Sequence, residues 1–187
     1  MSKDLVIEND DHRVTGHTQV LPDPIAEARR QWEAHGWEEA APGMAAVTTV
    51  VRVHQILVSR VEEALAPEGL TFARFEILRL LGFTRNGRLP MGKIGQRLQV
   101  HPASVTSAVK RLERDAMIKR ETDENDNRVV HAVLLRAGRD TLKSATERVN
   151  AVFSSLGLDD RELDGLTRRL GPIRRMAGDK VVDPRGV

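Results

Sequence analysis

The segment from Pro102 to Ala116 carries the sequence pattern that most restricts the fold. Proline suits the first turn of a helix, because its missing N–H would have no intrahelical partner there. Apolar residues then recur at the spacing i, i+4, i+7 and i+11: Val105, Val109, Leu112 and Ala116. Residues at this spacing share one side of an α-helix, so the sequence predicts a helix that packs inward along this stripe.

The opposite side of this helix is polar and basic. At about 100° per residue, the positions opposite the stripe and on its flanks are Ala103, Ser104, Thr106, Ser107, Lys110, Arg111 and Arg114. The major groove of B-form DNA admits one α-helix, and small residues in the first turn let the backbone come close. We therefore expect the three hydroxyl residues to contact base edges or phosphates, and the three cations chiefly phosphates. Taken alone, the helix better fits an ordinary amphipathic helix with a solvated basic face.

The segment before this helix begins to decide between the two interpretations. A short helix is predicted over 92–98, because Ile94 and Leu98 are spaced by four residues. The tight connection Val100-His101 then leads into the second helix. Two helices joined in this way form a helix-turn-helix, whose second helix reads the major groove.

After this helix, the apolar residues no longer recur at helical spacing. Ile118–Thr122 and Arg128–Leu135 are rich in branched residues, and turn formers fill 123–127, so a β-hairpin is predicted. Arg128 ends this acidic loop, where its guanidinium could enter a minor groove and Asp126 could orient it. A helix-turn-helix followed by such a hairpin is a winged helix-turn-helix, and we expect it to bind double-stranded DNA.

The remaining segments are predominantly helical. Helices are predicted over 23–38, over 44–66 after a break at Pro42-Gly43, from Thr71 to Leu81, over 137–156 and over 159–176. The expected organisation is a flexible arm (1–22), an extra N-terminal helix (23–41), dimerisation helices (42–70 and 137–176), a winged helix-turn-helix lobe (71–136) and a flexible tail (177–187). The fold class is thus mainly α with a small β-wing, flanked by N- and C-terminal dimerisation helices.

Composition narrows the function. The chain has no cysteine, which excludes disulfides, thiol chemistry and zinc sites built on sulfur. Between residues 85 and 139, twelve Lys and Arg stand against six Asp and Glu, which favours a phosphate-facing surface in the middle of the chain. No catalytic constellation, histidine metal motif or cofactor motif is recognisable, so we expect neither an enzyme nor a metal or cofactor. Without 18 consecutive apolar residues, a cytoplasmic protein with no membrane partner is expected.

Two runs resemble the MarR family of bacterial regulators. They are IGQRLQVHPASVTSAVKRLE, from Ile94 to Glu113, and IKRETDENDNRVVHAVLLRAG, from Ile118 to Gly138. The second run follows the family's pattern of an acidic loop, an Arg, a strand and Leu-x-x-Gly. The resemblance, which extends over roughly 44–176, implies a homodimeric repressor on a pseudo-palindromic operator, released by a small aromatic or anionic effector. A winged helix used as an architectural or protein-interaction module, without ligand response, remains the alternative.

The extra N-terminal helix is similar to that of the family's urate-responsive subgroup. In that comparison Trp32 suits the subgroup's Trp and Glu76 takes its Asp position, whereas Ala108 stands where an Arg is expected, and Lys119 or Arg120 could supply the later cation. The simpler interpretation, in which Trp32 and Trp37 pack the helix in place, is preferred. The candidate ligand-binding residues near the family's usual pocket are Trp32, His54, Phe72, Phe75 and Glu76.

Overall fold

The computed structural model describes residues 23–98 and 102–182, and for Pro102 the backbone only. The predicted arm (1–22), the Val100-His101 connection and the end of the predicted tail (183–187) lie outside the described residues. The elements are α1 (Pro24–Ala34), α2 (Ala41–Leu65), α3 (Phe72–Gly82), β1 (Arg88–Pro90), α4 (Met91–Leu98), α5 (Pro102–Arg114), β2 (Ile118–Thr122), β3 (Val130–Leu134), α6 (Arg136–Phe153) and α7 (Asp160–Met176). The described chain is thus mainly helical with one small sheet, as predicted.

The chain divides into two units, 1–54 and 55–187, and in the first the helix α1 is capped as the sequence indicates. The Asp23 carboxylate accepts a hydrogen bond of 2.9 Å from the Ile25 N–H, and Pro24 occupies the first helical position. The helix ends at Ala34, four residues earlier than predicted, and Gly36 follows with a φ of +81°. Trp32 and Trp37 contact each other edge to face, with ring centroids 5.3 Å apart.

The predicted break at Pro42-Gly43 is wrong. Both residues lie in the first turn of α2, which begins at Ala41. Proline is tolerated there because the first N–H groups of a helix have no intrahelical acceptor. A Pro-Gly pair, which interrupts a helix when it lies in the interior, is therefore compatible with the first turn of a helix.

The second unit contains the main core. It is built from α3, α5, α6 and the sheet, and its largest fully buried side chains are Leu65, Ile77, Leu78, Leu81, Ile94, Val109, Leu112, Ile118 and Val149. The predicted inward stripe of α5 is confirmed for Val105, Val109 and Leu112, which are all buried. Ala116 was assigned to the same stripe wrongly: it follows the end of α5 with a φ of +53° and is exposed.

The sheet has three antiparallel strands in the order β1-β3-β2. Ile118 pairs with Leu134 and Thr122 with Val130, which confirms the predicted hairpin, although β3 begins at Val130 rather than at Arg128. The strand β1, which the sequence analysis missed, pairs with β3 through Leu89 and Ala132. Its Pro90 is tolerated because β1 is an edge strand.

The connection between the sheet and α6 is a single residue, Leu135. Its N–H donates to the Met117 carbonyl at 3.0 Å, and α6 begins at the next residue. Gly138, in the first turn of α6, is packed against the same carbonyl: a Cβ at this position would lie 2.2 Å from the Met117 oxygen. The absence of a side chain at Gly138 therefore lets α6 dock directly on the turn before β2.

The helix α7 is capped at its beginning, and the residues after its end pack against it. A capping box joins Asp159 and Glu162, with both hydrogen bonds at 2.8 Å. Residues 177–182, the described part of the predicted tail, contact α7. Asp179 forms an ion pair with Arg174 at 2.9 Å, and Val181 packs beside Gly171.

Two long helices carry large apolar side chains that are exposed. In α2 they are Val47, Val50, Val51, Val53 and Ile56; in α7 they are Leu166, Ile173 and Met176. The segment Ala41–Glu68 has a mean hydropathy of 1.2 over 18 residues, of which 6% are buried, so by length and composition alone it could cross a membrane. Exposed apolar faces of this extent mark surfaces that interact with a protein or a membrane.

Candidate nucleic-acid interface

The polar side of α5 is open to solvent. The six residues predicted to contact DNA from this helix are all exposed: Ser104, Thr106, Ser107, Lys110, Arg111 and Arg114. The buried stripe on the other side fixes the rotation of the helix, so the hydroxyl groups lie in its first half and the cations in its second half. This geometry leaves a polar face free to enter a groove.

A buried arginine on α3, Arg74, anchors the end of α5. It forms an ion pair with Asp115 and donates to the Gly69 carbonyl at 2.8 Å. The sequence analysis missed Arg74, whose only local signal is a cation at a position between the apolar residues Phe72 and Phe75. Its partner lies 41 residues away, which local patterns do not reveal.

The same arginine borders a hollow of about 460 Å³ between α3 and α5. The lining residues are Thr71, Arg74, Ala103, Ser104, Ser107, Ala108 and Arg111. Three residues predicted to contact DNA thus share one concave surface with the arginine that positions their helix. Ala108, which stands where the urate-responsive subgroup has an Arg, leaves this concavity without a cation from that position.

We expect Asp115→Asn to lower the melting temperature by a few degrees at pH 7, because it leaves Arg74 largely buried without its counter-ion. The hydrogen bond from Arg114, together with the charges of Arg74 and Arg114, holds the pKa of Asp115 below its ordinary value of 3.8. A depressed folded-state pKa stabilises the fold above the unfolded-state value and loses that contribution as the pH falls through the folded-state value. The difference between the two proteins should therefore be complete at pH 7 and shrink below about pH 4.

Thermal unfolding at several pH values measures this difference. Asp140→Asn is a matched control, because Asp140 is mostly exposed and its contact with Arg136 is 3.8 Å long. Equal melting temperatures for Asp115→Asn and the control would show that the Arg74 anchor does not matter for stability.

The hairpin of β2 and β3 presents Arg128 beside its tip. The side chain is 90% exposed, and its Nε and Nη2 donate to the two Asp126 carboxylate oxygens at 3.0 and 3.2 Å. The Arg128 N–H also donates to Asp126, and these hydrogen bonds hold the pKa of Asp126 below its ordinary range. The predicted orientation of Arg128 by Asp126 is therefore present in the structure.

The loop end of the hairpin contains a second charged cluster that the sequence analysis missed. Arg88 on β1 lies 3.5 Å from the Asp123 carboxylate and 3.2 Å from Nδ1 of His131, and His131 lies 3.6 Å from Asp123. These contacts join β1, β3 and the residue that follows β2 at one end of the sheet. Nearer α5, Arg120 binds Glu113 at 2.8 Å and lowers the pKa of that carboxyl, whereas Lys119 binds Glu121. Both candidate cations of the urate comparison are thus engaged in ion pairs.

Three of the predicted ligand-binding residues line one apolar pocket of about 250 Å³. Phe72, Phe75 and Glu76 contribute from α3, and the other lining residues are Arg79, Leu80, Phe83, Leu98 and Phe153. Burial raises the pKa of Glu76. Trp32 and His54 belong to the first unit, where Trp32 contacts Trp37 and His54 is exposed on α2. Within the described residues, no group of three His, Cys, Asp or Glu is placed to hold a metal ion.

These features define the class of the protein. A helix with an open polar face, seated beside an antiparallel hairpin with an arginine near its tip, is the architecture of a winged helix-turn-helix DNA-binding protein. The family profile described as "MarR family" matches residues 70–130, which contain α3, β1, α4, α5, β2 and the first residue of β3. The chain belongs to the MarR family of transcription regulators.

Solved structures support this assignment. The chain is 40% identical to Sco5413, a MarR family transcriptional regulator from Streptomyces coelicolor, with a TM-score of 0.67; the match covers 75% of this chain and 99% of that chain. It is 27% identical to AbsC, a MarR family regulator from the same organism, over 72% of this chain and 93% of that chain, with a TM-score of 0.63. Sco3205 of S. coelicolor, solved in complex with DNA, is 22% identical over 71% of this chain and 83% of that chain, with a TM-score of 0.61, and shows the likeness of fold alone.

Proposed function

We propose that this regulator is a homodimeric repressor of the bacterial cytoplasm, which binds a pseudo-palindromic operator and is released by a small-molecule ligand. The observation that carries the proposal is the open polar face of α5, together with the exposed Arg128 of the hairpin that packs against this helix through β2. The residues proposed to contact DNA are Ser104, Thr106, Ser107, Lys110, Arg111, Arg114 and Arg128. The relative Sco3205, which has the same fold, was solved in complex with DNA.

The exposed apolar faces of α2 and α7 support dimerisation. Val47 is 65% exposed on α2, and Ile173 and Met176 are 62% and 89% exposed on α7. A second copy of the chain would remove these side chains from water, and burial of apolar surface is the main favourable term in association. A membrane is the poorer partner, because α2 also carries Arg52 and Arg60. Two-fold symmetry of the dimer then matches two half-sites about one helical turn apart.

The apolar pocket beside α3 supports ligand control. Phe72, Phe75 and Phe83 suit an aromatic ligand, and Phe153 and Leu98 bring the end of α6 and the end of α4 to the same pocket. A ligand bound there contacts both a proposed dimerisation helix and the helix-turn-helix. Such a ligand releases DNA if it binds more tightly to the dimer conformation in which the spacing of the two winged helix-turn-helix lobes does not match the operator half-sites.

A fluorescence-anisotropy titration of the full chain tests the proposed function. The probes are a palindromic duplex from its own promoter region, a single half-site and a scrambled duplex, at one salt concentration. We expect two chains per palindrome and an affinity at least about 1,000-fold tighter than for scrambled DNA, with the half-site bound much more weakly. Equal affinity for palindrome and scrambled duplex would contradict specific regulation and favour an architectural module.

A further inference from the structure

A triangle of polar groups holds the first residue of the loop that joins β2 to β3. This wing loop, residues 123–129, contains Arg128. Nη2 of Arg88 lies 3.2 Å from Nδ1 of His131 and 3.5 Å from Oδ2 of Asp123, and the third side of the triangle, from His131 to Asp123, is 3.6 Å. The His131 side chain is only 12% exposed, so water screens these contacts weakly. The triangle should therefore respond to a change of charge on any of its members.

Asp123 connects this triangle to the wing loop. Its Oδ1 accepts a hydrogen bond of 3.0 Å from the Asn125 N–H, and its own N–H donates to the Val129 carbonyl at 2.8 Å. The Val129 N–H donates in turn to the Asp126 carbonyl at 2.9 Å, and the Asp126 carboxylate binds Arg128. One oxygen of Asp123 is thus bonded within the loop, while the other lies in the triangle. A displacement of Asp123 is therefore expected to displace the loop that presents Arg128.

The contact between Arg88 and His131 fixes the protonation state of the ring in this structure. A guanidinium only donates, so Nδ1 of His131 accepts from Arg88 and carries no proton. A protonated Nδ1 could no longer accept; it would face the cation of Arg88 and would donate to Asp123 instead. Within the described residues, Nε of Arg88 is buried and has no hydrogen-bond partner that would hold the guanidinium in place. Protonation should therefore replace Arg88 by His131 as the partner of Asp123.

The other charged groups around His131 lie on the same face of the sheet. Ala132 and Leu134 are buried in the core, so the alternation along β3 places His131 on the opposite face. Glu121 on β2 is paired in register with His131, and the hydrogen bond from Lys119 is the main cause that holds the pKa of Glu121 below its ordinary value. The ring is thus surrounded by two carboxylates and two cations, which are Asp123, Glu121, Arg88 and Lys119.

We propose that His131 is a positioning residue for the wing loop, which acts on Arg128 through Asp123 and makes operator binding weaken as the pH falls. The inference rests on the proposed function, in which Arg128 contacts DNA. With a neutral ring, Arg88 stays beside Asp123 and the loop presents Arg128 as described. With a protonated ring, Asp123 moves toward His131 and takes the loop with it, so Arg128 leaves its position for the groove. Histidine ordinarily changes its charge between pH 5 and 8, which sets the range of the test.

An NMR titration of the full chain between about pH 8 and pH 5.5 tests the positioning step without DNA. We expect the amides of Asn125 and Arg128 to shift with the same midpoint as the His131 ring. These shifts should vanish in His131→Asn, whose side-chain oxygen can accept from Arg88 but does not titrate. Amide shifts that persist in His131→Asn, or that are missing from the original protein, would overturn the proposal.

Operator binding, measured by fluorescence anisotropy at the two ends of this pH range, tests the consequence. On acidification the original protein should lose about fivefold more affinity than His131→Asn, and at the higher pH the two should agree within about twofold. His35→Gln is the control, since this histidine is exposed on α1 and stacks on Trp37; it should keep the full pH dependence. An equal loss of affinity in the original protein and His131→Asn would contradict the role of His131. Absence of operator binding at every pH would instead contradict the proposed function, while the amide shifts still decide whether His131 positions the loop.

Discussion

Arg128→Ala is expected to weaken operator binding by about 10- to 100-fold while the melting temperature stays within about 1 °C. The side chain is almost fully exposed and makes its hydrogen bonds to Asp126 alone, so its removal costs the fold little. Its guanidinium is already aligned beside the hairpin tip, where it can enter a minor groove. Loss of that contact should be seen as a weaker affinity in the anisotropy titration at constant salt.

The control for this change is Arg29→Ala. Arg29 is also an exposed arginine in a short-range ion pair, with Glu33 at 2.9 Å, but it lies on α1 outside the winged helix-turn-helix. It should leave operator affinity unchanged within about twofold. If Arg128→Ala binds the operator as tightly as this control, the assignment of Arg128 to the DNA surface is wrong.

Gly138→Ala is expected to destabilise the protein by about 2 to 4 kcal/mol, a fall of roughly 5 to 15 °C in melting temperature. On helix propensity alone, alanine should stabilise α6 relative to glycine. The contact reverses this preference, because a Cβ would lie 2.2 Å from the Met117 carbonyl oxygen, a backbone atom that cannot swing away as a side chain can. Thermal unfolding followed by circular dichroism measures the difference.

Gly92→Ala provides the opposite expectation in the same molecule. Gly92 is an exposed helical glycine of α4, and a Cβ there meets no atom within 4 Å. It should be neutral or stabilising by up to about 1 kcal/mol. A melting temperature for Gly138→Ala that equals or exceeds that of Gly92→Ala would contradict the close docking of α6 on the turn before β2.

The sequence predicted the helix α5 well, because the pattern that defines it lies within the helix itself. A regular apolar stripe fixes which side of α5 is buried, and the exposed side follows by geometry. The predicted stripe was wrong only at Ala116, where the chain leaves the helix with a positive φ. Alanine rarely adopts this conformation, so the residue type gave no signal for it. The hairpin was likewise predictable from its turn residues, and Arg128 from its position beside them.

Other parts of the site depend on contacts between distant residues. The strand β1 has three residues and ends in a proline, so only its pairing with β3 makes it a strand. Arg74 and Arg88 have partners more than 30 residues away, and the Arg139 side chain comes close to Gly87 only after the sheet and α6 have packed. No local periodicity encodes these distances. The family's Leu-x-x-Gly pattern was visible in the sequence, but its reason, the Met117 carbonyl, was not.

The one-residue connection at Leu135 couples α6 directly to the hairpin of β2 and β3. The Leu135 N–H donates to the Met117 carbonyl, and Gly138 packs against the same oxygen. No loop therefore separates the strands from the helix. If α6 tilts in the proposed dimer, we expect the hairpin to turn with it as a rigid body. Because β2 and β3 extend away from this connection, Arg128 near the tip should then move farther than α6 itself.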